Sequence, residues 1–200
     1  MGITTVRRIS FVFFLLLGTQ LFSQSSPHSP AGSASIFEVS AGYVFMRTTS
    51  TTEWFPMNGV DGNALLRVSP RWGAMLDLTY ARSPIIPGTT YSENMFSGLV
   101  GPVYYLVDHE KYQVFVHGLV GLAWVDSAVP LTSTTEYHGY ETRLSYAFGG
   151  AVERSFSPKW AACITADYQR TQFVNPLLAI ENQNNFKATA GIVYRFGNRW

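Results

Sequence analysis

The chain has 200 residues, 14% of them charged, a formal net charge of +1 and a single cysteine, Cys163. No basic cluster supplies the electrostatic footprint of a nucleic-acid binder, and one cysteine excludes an intramolecular disulfide framework. A soluble domain normally carries about a quarter charged residues, so 14% charged beside 15% aromatic implies that something other than water covers much of the surface.

The first element is a leader. Arg7 and Arg8 precede an apolar run at 9–18 (ISFVFFLLLG), the n-region and h-region of a secretory signal peptide over residues 1–23, with cleavage placed near Ser23 and Gln24. The run falls short of the roughly twenty apolar residues of a spanning helix, and glycines and charges interrupt every later candidate. A membrane crossing would therefore have to be made by strands. Removing the leader leaves 12 basic and 13 acidic residues. Residues 24–35 (QSSPHSPAGSAS) have no periodicity and read as a flexible periplasmic lead-in; the folded domain then occupies residues 36–200.

Eight stretches of period-two alternation follow. The first, 36–47, sets Phe37, Val39, Ala41, Tyr43 and Phe45 against Glu38, Ser40 and Gly42. After a polar loop at 48–59, the second, 60–69, sets Ala64, Leu66 and Val68 against Asn63, Leu65 and Arg67. A tight Ser-Pro-Arg-Trp turn leads into the third, 72–82, with Trp72, Ala74, Leu76, Leu78 and Tyr80 opposite Met75, Asp77 and Thr79. A longer loop at 83–93 precedes the fourth, 94–106, largely apolar on both faces. The fifth, 112–125, follows a short turn and opposes Tyr112, Val114, Val116, Val120, Leu122 and Trp124 to Gln113, His117 and Gly121. The longest loop, 126–141, leads to the sixth, 142–154, with Arg143, Ser145, Gly149 and Glu153 on its polar side. A second Ser-Pro-basic-Trp turn opens the seventh, 160–171, which carries Cys163, Thr165, Asp167 and Gln169 on its polar side. A loop at 172–185 precedes the eighth, 186–196, where Thr189, Gly191 and Arg195 oppose Ala188, Ala190, Ile192, Tyr194 and Phe196.

Strands of this length suit a tilted crossing of the hydrocarbon, which takes about 9–11 residues. Alternating long and short connections place the short turns at one face and the long loops at the other. The expected architecture is all-β: an eight-stranded antiparallel up-and-down transmembrane β-barrel. A soluble lipocalin-like barrel would bury the apolar rows and wet the polar ones. Each polar row instead carries about one charge or imidazole, and the apolar rows end in Trp and Tyr, as interfacial girdles do.

Inside so small a barrel, side chains fill the lumen, and ionised groups there must pair. Glu38, Arg67, Asp77, His117, Arg143, Glu153, Asp167 and Arg195 are therefore expected to form an ion-pair network plugging it, the alternative being a narrow channel for ions or small solutes. Cys163 reads as a buried small residue. No cofactor or metal is expected, since ligand spacing and phosphate or dinucleotide fingerprints are missing. His138, near Glu136 and Glu141, is the one local cluster suggesting a lipid A-modifying enzyme. The loops mix Thr and Ser with Trp54, Phe55, Tyr137 and Tyr140, a composition adaptable to protein, glycan or lipopolysaccharide contact.

Three stretches, 58–80 (NGVDGNALLRVSPRWGAMLDLTY), 96–106 (FSGLVGPVYYL) and 188–196 (ATAGIVYRF), resemble the small porin-family β-barrels of Gram-negative outer membranes, akin to the barrel domain of outer membrane protein A. The resemblance implies residence in the outer membrane among its lipids and a monomeric barrel. It also implies a closing aromatic signal read by the barrel-assembly machinery, with Tyr194, Phe196 and Trp200 as the candidates. The expected role is non-catalytic: envelope structure or surface interaction through the long loops.

Overall fold

The computed structural model describes residues 36–49, 54–85, 92–109, 111–130, 136–175 and 180–196. The leader, its cleavage site, the lead-in and Trp200 lie outside the described residues. Eight strands follow in order: β1 (Ile36–Thr49), β2 (Trp54–Arg67), β3 (Trp72–Ser83), β4 (Ser92–Asp108), β5 (Tyr112–Pro130), β6 (Glu136–Ser155), β7 (Trp160–Asn175) and β8 (Ile180–Phe196). Each pairs antiparallel with its neighbours in sequence, and β1 pairs with β8, so the sheet closes into a barrel without edges.

The strands run further than the alternation alone suggests. Much of the expected loops at 48–59, 126–141 and 172–185 is strand, as in the pairing of Ser127 with Gly139 or of Thr49 with Trp54. Threonine and tyrosine, which made these segments read as adaptable loops, are also strong strand formers. A hairpin can therefore continue past the membrane at no cost in backbone hydrogen bonds.

The faces sort as the alternation requires. Leu76, Leu78, Val116, Val120, Leu122, Leu144, Val152 and Ile164 all point outward, each between 41% and 66% exposed. In water these rows would form an apolar surface far larger than a soluble monomer tolerates, which rejects the lipocalin arrangement. Tyr43, Tyr80 and Phe96 toward the loop end, and Trp72, Tyr112, Trp160 and Phe196 toward the turn end, supply outward aromatic bands. At the turn end, Trp72 donates its backbone N–H to the Ser69 hydroxyl at 3.1 Å, and Trp160 does the same to Ser157, also at 3.1 Å. The two Ser-Pro-basic-Trp sequences thus make the same turn.

Closure depends on glycine at the β1–β8 seam. Gly42 faces Gly191, and a Cβ on either would sit 2.5 Å from a carbonyl oxygen of the opposite strand. At Gly62 an added Cβ meets nothing nearer than 3.7 Å. Gly191→Ala is therefore expected to cost about 1–3 kcal/mol through overpacking, while Gly62→Ala stays near wild type. Urea unfolding of the barrel in lipid vesicles measures both, and equal midpoints would contradict a close-packed seam.

Candidate functional site: the polar lumen

The lumen holds two layers of charge. At the turn end, Arg195 donates Nε to Glu38 Oε1 at 2.9 Å, Nη1 to the Ser155 hydroxyl at 2.8 Å, and pairs through Nη2 with Glu153. Beside it, Arg67 pairs with Asp108 at 2.6 Å and lies 4.0 Å over the ring of Tyr105. Gln113 donates to the other oxygen of Asp108 at 2.7 Å. One planar guanidinium thus ties β8 to β1 and β6, and the other closes the gap from β2 to the end of β4. Such forks suit arginine, whose donors are fixed in geometry.

Further along the strands, Lys187 of β8 is the hub of the second layer. Its ammonium lies 2.8 Å from Asp77, 3.1 Å from Asp61 and 3.4 Å from Asp167, and donates to the Thr79 hydroxyl at 3.1 Å. Thr79 in turn donates to Asp61 at 2.7 Å, and Asn63 donates to the other oxygen of Asp61 at 2.8 Å. Nε2 of His117 meets Asp167 at 2.8 Å. That contact spans β6, where Gly149 stands between the two partners in register; any Cβ there would collide with the Asp167 carboxylate. Three carboxylates share one ammonium, so among the described residues the layer is held together by the Lys187 cation with an imidazole at its margin.

Between these groups the lumen is packed. Leu65, Met75, Leu99, Val103, Phe115, Leu119 and Cys163 belong to one buried cluster, and the cavity beside Glu38, Asn63 and Cys163 measures about 10 Å³. A single water needs ~10–15 Å³, so this cavity has room for about one water. Toward the loop end the lumen is two-sided. Val44, Met46, Phe55, Met57, Ala81, Met95, Ala123 and Val125 make an apolar wall. Glu93, Gln169, Thr171, Gln183 and Asn185 are buried polar groups, each with at least one side-chain atom that has no hydrogen-bond partner among the described residues. Gln183 also donates to Glu93 across the barrel at 2.9 Å.

Seven of the eight residues expected in the lumen, Glu38, Arg67, Asp77, His117, Glu153, Asp167 and Arg195, are buried there. Arg143 is not. It shares a face with Ser145, yet its side chain is 49% exposed and pairs with Glu141 at 2.8 Å. The β6–β7 ladder ends at Ser145, so Arg143 stands above the last pair that walls this row, where its side chain reaches solvent. Phe55 also departs from expectation: it is fully buried in the apolar wall. Because β2 begins at Trp54, alternation turns Trp54 outward and Phe55 inward. Trp54 packs on Phe186, and the exposed Tyr140 stacks on Trp124, both from strands rather than loops. The side chains of Tyr137 and His138 lie outside the described residues.

Asp61 and Lys187, the centre of the second layer, are additional to the expected set. Parity was available as a signal, since Asp61 shares a row with Asn63 and Arg67, and Lys187 with Thr189 and Arg195. No such signal existed for Asp108, which follows a register shift between Tyr105 and Val107.

Solved structures with this architecture include the attachment invasion locus protein Ail of Yersinia pestis (17% identity over 81% of this chain and 99% of that one, TM-score 0.61). Neisserial surface protein A is similar too (15% identity, 80% and 97% covered, TM-score 0.63), as is OprG of Pseudomonas aeruginosa (10% identity, 82% and 96%, TM-score 0.52). At such identities the likeness is one of fold. No match was found among curated proteins. The family model described as the outer membrane protein beta-barrel domain matches residues 9–196; this chain belongs to that family and is a protein of the cell outer membrane.

Proposed function

We propose that the protein is a non-catalytic outer-membrane barrel with a plugged lumen, serving as an envelope structural or surface-interaction protein. The observation that carries this reading is the pair of cross-barrel charge layers, centred on Arg195 and Lys187, with a filled apolar band beside them. Opening a path would strip buried charges of their partners, at several kcal/mol for each. A closed lumen leaves the outer rim to meet other molecules, with Trp54 and Tyr140 among its outward aromatics. Tyr194 and Phe196, outward or half-buried at the end of β8, suit a signal for the barrel-assembly machinery.

A narrow channel for ions or small solutes is the second reading. The polar atoms of Glu93, Gln169, Thr171, Gln183 and Asn185 that find no partner among the described residues favour it, because such groups call for water in the upper lumen. Planar-bilayer recording separates the two. The plugged barrel is expected to give no unitary current steps above the bare bilayer. Reproducible ohmic steps, altered by Arg195→Gln, would overturn it in favour of the channel.

A further inference from the structure

The outer face carries a feature that the lumen does not explain: a groove of about 560 Å³ between β1, β8 and β7, near the loop end. Its floor is Ala166 and Ala188, which face each other across the β7–β8 ladder, and Phe45 continues the row on β1. The next row toward the loop end is Tyr168, Phe186 and Arg47. Small residues flanked by large ones leave a slot that hydrocarbon must fill, since this surface faces lipid. The aromatic side of the slot is braced: Phe186 packs against Trp54 at 5.6 Å and Tyr168 at 5.4 Å between centroids, and the Tyr168 hydroxyl bonds Asn184 at 2.6 Å.

Charge marks the upper end. Arg47 stands two residues beyond Phe45, with its guanidinium 5.5 Å from the ring centroid of Trp54. Arg170 stands two residues beyond Tyr168 on the same outward row of β7. Among the described residues neither arginine has a carboxylate partner. Two interstrand spacings and one two-residue step separate them, so their Cα atoms are roughly 12 Å apart. A membrane-facing arginine pair without acids, directly above an apolar slot, is complementary to a lipid whose headgroup bears two separated phosphates. The exposed indole of Trp54 beside Arg47 suits the apolar face of a sugar ring.

We propose that this groove is a binding site for a diphosphorylated glycolipid of the lipid A type, with an acyl chain over Ala166 and Ala188 and phosphates at Arg47 and Arg170. The site requires the outer-membrane placement already established and is independent of whether the lumen conducts.

The test uses the protein folded in detergent and native mass spectrometry with three probes: diphosphorylated lipid A, its dephosphorylated form and phosphatidylglycerol. Wild type is expected to retain diphosphorylated lipid A at least tenfold more than either other probe. The doubly substituted Arg47→Gln, Arg170→Gln protein loses that preference, and Ala188→Trp, which fills the slot from the lipid side, lowers retention about tenfold. Heat-modifiable gel mobility reports folding, and the arginine pair gives a readout even if the tryptophan variant fails to fold. Equal retention of dephosphorylated lipid A or of phosphatidylglycerol would overturn the proposal, as would unchanged retention by the arginine variant.

Discussion

Lys187→Met is expected to be among the most damaging single substitutions in the barrel, costing about 3–5 kcal/mol, the usual penalty for breaking a buried ion pair from one side. The reason is the composition of its layer. Asp61, Asp77 and Asp167 converge on one ammonium, and all three side chains are nearly inaccessible. Methionine preserves the length of the side chain and much of its bulk, so the loss isolates charge from packing. Without Lys187 the carboxylates of Asp61 and Asp77 share the Thr79 hydroxyl, and Asp61 keeps Asn63, as neutral partners among the described residues. Urea unfolding in vesicles, followed by gel mobility and tryptophan fluorescence, measures the loss. The companion experiment removes the repulsion instead: Asp61→Asn and Asp77→Asn in the Lys187→Met background are expected to recover most of the stability. Failure of that rescue would mean that Lys187 matters for its packing and not for its charge.

The same layer shows what a linear sequence does and does not disclose. Period-two alternation locates every strand and assigns the inward row on seven of them, because the lipid and the lumen impose opposite chemistry on adjacent residues. It is silent on β4, whose two faces are both largely apolar. There Met95, Ser97, Leu99, Val103 and Tyr105 turn inward, with Glu93 at the loop end of the same row. Parity marks Asp61 and Lys187 as lumen residues one strand at a time, but their meeting is a property of stagger around the barrel, which no single strand encodes. Arg143 and Phe55 depart for different reasons. Phe55 follows the alternation once β2 starts at Trp54, and it reads as a loop residue because a Thr-rich segment satisfies strand and loop equally well. Arg143 lies beyond the last β6–β7 pair, where the inward row is no longer covered.

A pair of arginine substitutions within two chain positions of Asp77 tests the sidedness of β3 directly. Leu76 points outward midway between Trp72 and Tyr80, beside Ala64 and Val100. Leu76→Arg places a guanidinium in hydrocarbon and is expected to cost about 2–4 kcal/mol. Thr79 points the other way, is wholly buried, and bonds both Asp61 and Lys187. There Thr79→Arg meets a filled lumen, so overpacking of about 1–3 kcal/mol opposes it in the wild type. The two substitutions diverge once Lys187 is replaced by methionine. In that background an arginine at 79 stands beside Asp61 and Asp77 and supplies the missing cation, so it is expected to raise the unfolding midpoint. An arginine at 76 lowers the midpoint in either background, because nothing on the lipid side of β3 can pair with it. If both substitutions behaved alike in the Lys187→Met protein, the assignment of inward and outward faces on β3 would be wrong. The charge layer built on that assignment would then fall with it.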